Sequence, residues 1–162
     1  MNKDYLKQIL EVFTVDQEIR LKRNVGKELP NYLLYAIDIA HNYRIKLLIN
    51  QYDYPTIKSV GKRGMFYFHY IILHQFDINM QNQYLENCEL TPQQKTEIID
   101  RIRFNKGEKQ LYGTLNIEID DKKNLNKRRK AMGLEFLNGY LVSNKEKTKK
   151  KAIKKFLYYH IK

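Results

Sequence analysis

The chain has 162 residues and a mass of 19.6 kDa, enough for one domain with a real hydrophobic core. Its 43% hydrophobic and 12% aromatic content argues against a disordered chain, and the single cysteine, Cys88, excludes an internal disulfide and a multi-cysteine zinc site. The formal net charge is +12, yet residues 143–162 carry eight lysines and one glutamate, +7 of that total, leaving +5 for residues 1–142.

The N-terminal stretch MNKDYLKQIL is charged throughout and lacks the apolar core of a signal peptide. No apolar run approaches the length of a membrane span, so a cytoplasmic protein without a membrane span is expected. Over residues 3–22, Leu6, Ile9, Leu10 and Phe13 recur at helical spacing. The stretch KELPNYLLYAIDIAHNYRIKLLINQY predicts a second helix with Pro30 in its first turn, broken at Tyr54-Pro55. A third helix is predicted over 57–76, its apolar content implying burial of most of its circumference, and a short fourth over 78–88.

Thr91 then has the signature of a helix N-cap, with Pro92 in the first turn and Gln94 completing a capping box. That helix should end at Gly107. Alternation from Leu115 to Ile119 predicts a small β-hairpin or strand element near 109–119. A last short helix, NLNKRRKAM, should stop at Gly133. The expected fold is mainly α, a compact single-domain helical bundle, with residues 1–142 forming a domain with a polar cleft. Residues 143–162 read as a basic amphipathic tail helix, with Ile153, Phe156, Leu157, His160 and Ile161 opposite its lysines.

Several short motifs stand in order along this frame: Asp16-Gln17-x-x-Arg20, Asp38-x-x-His41, Tyr54-Pro55, Val60-Gly61, His74-x-x-Asp77, Asp100-Arg101, Gln110-x-Tyr112-Gly113-Thr114, Arg128-Arg129 and Gly133-Leu134. The string resembles a bacterial family of domains of unknown function. Its members carry D-Q-x-x-R, D-x-x-N, G-W-P, V-G, Q-H-A-D, D-R, Q-x-Y-G-T-Q, R-R and G-L. The resemblance runs from Asp16 to Tyr140 and supplies candidate residues, but no reaction. The chain departs from the pattern at His41, where the family has asparagine, at Leu73 and Leu115, where it has glutamine, and at Gln75-Phe76, where it has one small residue.

Residue chemistry gives these motifs roles. His74 and Asp77 lie three apart, so on a continuous helix they would share a face, and a carboxylate beside an imidazole prepares it as a general base. A helix end, with Asp77 capping the next helix, explains the pair equally well. Asp38 and His41 repeat the pairing. Two Asp and two His could hold zinc, iron or manganese, but the family's asparagine at position 41 is a poor metal ligand, so no metal and no cofactor is expected. His69 lies about 140° around the helix from His74 and is not expected as a co-ligand.

Asp16 and Arg20 are either a surface ion pair or a held arginine that clamps a carboxylate or phosphate. Asp100 and Arg101 are adjacent and point apart, one toward a site and the other toward a loop. Gln110 and Tyr112 alternate with Leu111 and could face one pocket. The expected catalytic set is therefore His74, Asp77, Asp16 and Asp100. The expected substrate-binding set is Arg20, Gln17, Asp38, His41, Gln110 and Tyr112, with at least His74, Asp16, Arg20 and Gln110 lining one concavity.

No P-loop, G-x-G-x-x-G, nucleophile elbow or H-E-x-x-H occurs. The expectation is a small enzyme-like domain, a hydrolase or transferase acting on a phosphorylated or nucleotide-like substrate, with an anionic small molecule as ligand. The alternative is a non-catalytic module whose tail, 143–162, engages a protein, a membrane surface or, weakly, nucleic acid.

Overall fold

A computed structural model describes residues 1–24 and 31–137. Among them are six α-helices: α1 (Lys3–Asn24), α2 (Asn31–Tyr52), α3 (Ile57–His74), α4 (Ile78–Asn87), α5 (Pro92–Asn105) and α6 (Leu125–Ala131). A 3-10 turn at Lys122–Asn124 leads into α6. Pro30 and the basic tail 143–162 lie outside the described residues.

Local chemistry sets the helix starts. Thr56 opens α3 with a capping box, its hydroxyl accepting from the Ser59 N–H while its own N–H donates to the Ser59 hydroxyl. Thr91 and Gln94 do the same for α5, as their spacing predicts, with Pro92 in the first turn. Such caps satisfy backbone donors that a helix start leaves unpaired and contribute about 1 kcal/mol each. α3 is not straight. Gly61 sits at φ +71 inside it, in the left-handed region that residues with a Cβ resist, and so kinks the helix just after Val60.

The buried stripes explain how the helices pack. On α1 the buried positions are Tyr5, Ile9, Val12, Phe13, Asp16 and Gln17; on α2 they are Leu34, Asp38, His41, Ile45 and Leu48. Both follow the three-and-four spacing of one helix face, but the α1 stripe changes from apolar to polar along its length and the α2 stripe, after Leu34, from polar to apolar. Tyr5 stacks on Tyr52 with ring centroids 4.7 Å apart, and Arg20 bonds Asp38, so α1 and α2 run antiparallel. The Asn2 N–H donates to the Ser59 carbonyl at 2.7 Å and His74 meets Asp16, so α3 runs parallel to α1. The apolar ends of α1 and α2 therefore meet Val60, Phe68, Ile71 and Ile72 of α3 in one core, while their polar ends and the end of α3 collect together.

The β element expected near 109–119 does not form among the described residues. A single bridge joins Gln110 and Ile119, with no strand on either side. The reason is competition for backbone groups. The N–H groups of Leu111, Tyr112 and Thr114 donate to the Asp100 carboxylate, and that of Leu115 to the Gln110 side chain, leaving no donor row for a hairpin. Gly113 turns the chain at φ +71, and a Cβ there would come within 2.7 Å of the Leu137 side chain. The alternation seen in the sequence reflects a coil that buries Ile119.

Candidate functional site

Four helices bring polar and ionisable side chains to the polar end of the bundle. α1 supplies Asp16, Gln17 and Arg20; α2 supplies Asp38 and His41; α3 ends at His74; α5 adds Arg101. Asp16 is the hub, with its side chain fully buried. Its Oδ2 lies 2.7 Å from His74 Nδ1 and accepts from Gln17 Nε2 at 2.8 Å, while Oδ1 accepts from Arg20 Nε at 2.9 Å. A second nitrogen of Arg20 bonds Asp38, so the guanidinium is held between two carboxylates. His41 Nδ1 lies 3.8 Å from Asp16 Oδ1, is buried and makes no hydrogen bond among the described residues.

The electrostatics follow from this geometry. Burial pushes the Asp16 pKa up, but the His74 N–H, the Arg20 charge and the hydrogen bonds outweigh it and hold the carboxyl below its ordinary value. Burial pushes the His74 pKa down by more than Asp16 raises it, and Arg20 and Arg101 push the same way. The ring is therefore neutral at pH 7. An ionised carboxylate can only accept, so Nδ1 carries the hydrogen and Nε2 keeps its lone pair. With its side chain 21% exposed, His74 has a base facing outward from a buried anion. Asp38 goes the other way: burial and the Asp16 charge outweigh Arg20 and Arg101, and its pKa is pushed up to about 6.

Other expected site residues are placed elsewhere. Asp77 does not face His74, because α3 ends at His74 with Gln75 as its cap, and no continuous helix links the two. Asp77 caps α4 through the Met80 N–H at 3.0 Å and pairs with Lys46 at 2.8 Å. Asp100 is fully buried and clamps the 111–114 loop, taking the Thr114 hydroxyl as well as the three backbone donors. Gln110 is equally engaged in that loop, donating to the carbonyls of Leu115 and Ile117. The backbone of Tyr112 lies between Asp100 and Arg129, which donates to its carbonyl at 2.6 Å. Arg128 likewise donates to the Leu111 carbonyl, so the arginine pair staples the loop. The structure thus joins Asp16, Gln17, Arg20, Asp38, His41 and His74, but not Gln110, Asp100, Tyr112 or Asp77.

Sequence reasoning left Arg101 out of the binding set. Asp100-Arg101 point apart, and it is the arginine whose charge reaches Asp38, His74 and Arg20. The signal was the angle between neighbours on a helix, about 100°. It also left out a pair of exposed rings. Tyr35, one turn before Asp38, and Phe76, two residues after His74, sit 6.1 Å apart between centroids and are 58% and 56% exposed.

These features define a class: an all-helical domain with a buried carboxylate–imidazole–guanidinium cluster at one end of its bundle. Among the described residues no three His, Cys, Asp or Glu side chains are arranged to hold a metal ion, and no helix is long and apolar enough to cross a membrane. Residues 3–142 match the family of unknown function DUF6624, and the chain belongs to that family. No curated protein and no solved structure matches it.

Proposed function

We propose that the chain is a small enzyme that uses His74 as a general base in hydrolysis or group transfer on a phosphorylated or nucleotide-like substrate. One observation carries this reading: His74 Nδ1 lies 2.7 Å from a fully buried carboxylate while Nε2, on a partly exposed ring, has no partner among the described residues. In such a step Nε2 takes the proton of an attacking water or hydroxyl, Asp16 steadies the imidazolium that forms, and the ring returns the proton to the departing oxygen. Arg20, fixed by Asp16 and Asp38, has its Nη1 unpaired among the described residues, a donor toward an anion. Tyr35 and Phe76 offer a face on which a flat ring can stack.

A non-catalytic reading is favoured by the mutual pairing of Asp16, Arg20 and Asp38, which a purely structural polar network would also show. A screen of phosphorylated metabolites and nucleotides with wild type and His74→Gln separates the two. The enzyme reading expects turnover that falls by roughly 10²–10⁴-fold in the variant at an unchanged melting temperature. No turnover by the wild type, or turnover that survives the substitution, favours the binding module.

A further inference from the structure

The cluster contains one cation that its neighbours leave unsatisfied. Arg101 Nε is buried and has no hydrogen-bond partner, and among the described residues its guanidinium forms no ion pair. Its guanidinium carbon lies over the Phe104 ring, 5.4 Å from the centroid, a cation–π contact that supplies no hydrogen-bond acceptor. Arg20 differs: two of its nitrogens are already held by Asp16 and Asp38.

We propose that Arg101, rather than Arg20, is the principal anchor for an oxyanion on the ligand of this site. A guanidinium whose Nε is buried without an acceptor is unfavourable, and a ligand bearing two oxygens on one centre offsets that penalty by accepting from N–H groups of the fork. Charge balance points the same way. With both imidazoles neutral and both carboxylates ionised, Asp16 and Asp38 offset Arg20 and Arg101, but both carboxylates already bond Arg20. When Asp38 takes up a proton, the cluster carries a net positive charge. Burial and the Arg20 charge both disfavour the Arg101 cation, a strain that a bound anion relieves. The ligand class is a phosphate or a carboxylate. The inference rests on the same site as the proposed function, but not on its chemistry.

The test is titration of the full chain with inorganic phosphate and, separately, with acetate, followed by NMR. The proteins are wild type, Arg101→Gln, Arg101→Lys and the exposed control Lys95→Gln. Expected is phosphate or acetate binding by wild type that weakens at least about tenfold in Arg101→Gln. Arg101→Lys, which keeps the charge but loses the fork, should weaken it about threefold or more. The control should stay within about threefold of wild type. The stronger anion identifies the ligand group. If Arg101→Gln does not fold, Arg101→Lys alone decides. Unchanged binding in the arginine variants, or no binding of either anion by wild type, overturns the inference. Arg101-dependent binding without turnover of any compound leaves this inference standing and removes the enzyme reading. Turnover with an unchanged KM in Arg101→Gln does the reverse.

Discussion

Two aspartates, Asp16 and Asp100, are buried to nearly the same degree, at 1% and 0% exposure, yet their surroundings differ in kind. Asp100 uses up the donors around it, which are three backbone N–H groups and one hydroxyl from a single loop. Among the described residues, Asp16 is surrounded by groups that still have capacity to spare: an imidazole with a free Nε2, a guanidinium with a free Nη1, and His41 with an orphaned Nδ1. A buried charge whose partners are exhausted is architecture. A buried charge whose partners keep open valences prepares a site. The histidines repeat the contrast. His69 has both nitrogens engaged, Nε2 by Glu97 at 2.8 Å and Nδ1 by the Tyr84 hydroxyl at 3.4 Å, whereas His74 has one.

The comparison breaks most visibly at Asp100. Replacing it with alanine leaves three part-buried N–H groups without their acceptor and should destabilise the fold by roughly 3–5 kcal/mol or prevent folding. Denaturant melts of Asp100→Ala give the number, and a loss below about 1 kcal/mol would mean the loop finds other acceptors.

Asp38 gives a smaller, pH-dependent effect. Its pKa is raised from 3.8 to about 6 in the folded state. Between those values the folded chain holds a proton that the unfolded chain has released, so stability from this group falls as pH rises through the window. Asp38→Asn removes the titration. Its stability relative to wild type should therefore improve by roughly 2–3 kcal/mol between pH 4 and pH 7. A difference independent of pH contradicts the raised value.

The smallest change is expected at Lys109, which pairs with Glu118 at 3.1 Å with both side chains more than half exposed. Lys109→Ala should stay within about 0.5 kcal/mol of wild type in the same melts. A larger loss would show that the loop depends on its surface charges as well as on Asp100.

Much of the helical frame was legible in the residues because its signals are local. Thr91 and Gln94 announce a helix start, Gly107 and Gly133 its ends, and each sits where the structure uses it, both glycines at positive φ. The 109–119 segment was misread because alternation at Leu115–Ile119 is a two-residue pattern, while the donors that forbid a hairpin are captured by Asp100, in a different element. Within the cluster, Asp16, Arg20, Asp38 and His41 were legible through the spacing of Asp16-Gln17-x-x-Arg20 and Asp38-x-x-His41, which sets each pair on one helix face. His74's partner was not. Sequence spacing pointed to Asp77 three residues away, whereas the contact is to Asp16, 58 residues away, set by the parallel packing of α3 on α1. Arg101 escaped because spacing says only that it faces away from Asp100, while the burial of its Nε without a partner is a property of packing.

The most direct test of the central claim is the NMR titration of the His74 imidazole nitrogens. Expected is a neutral ring at pH 7 with the hydrogen on Nδ1, an ordinary lone pair on Nε2, and a pKa below 6.5 that falls further in Asp16→Asn, which loses the charge that raises it. A ring that titrates at or above 6.5, carries its hydrogen on Nε2, or ignores the loss of the Asp16 charge would contradict the pairing from which the proposed base derives.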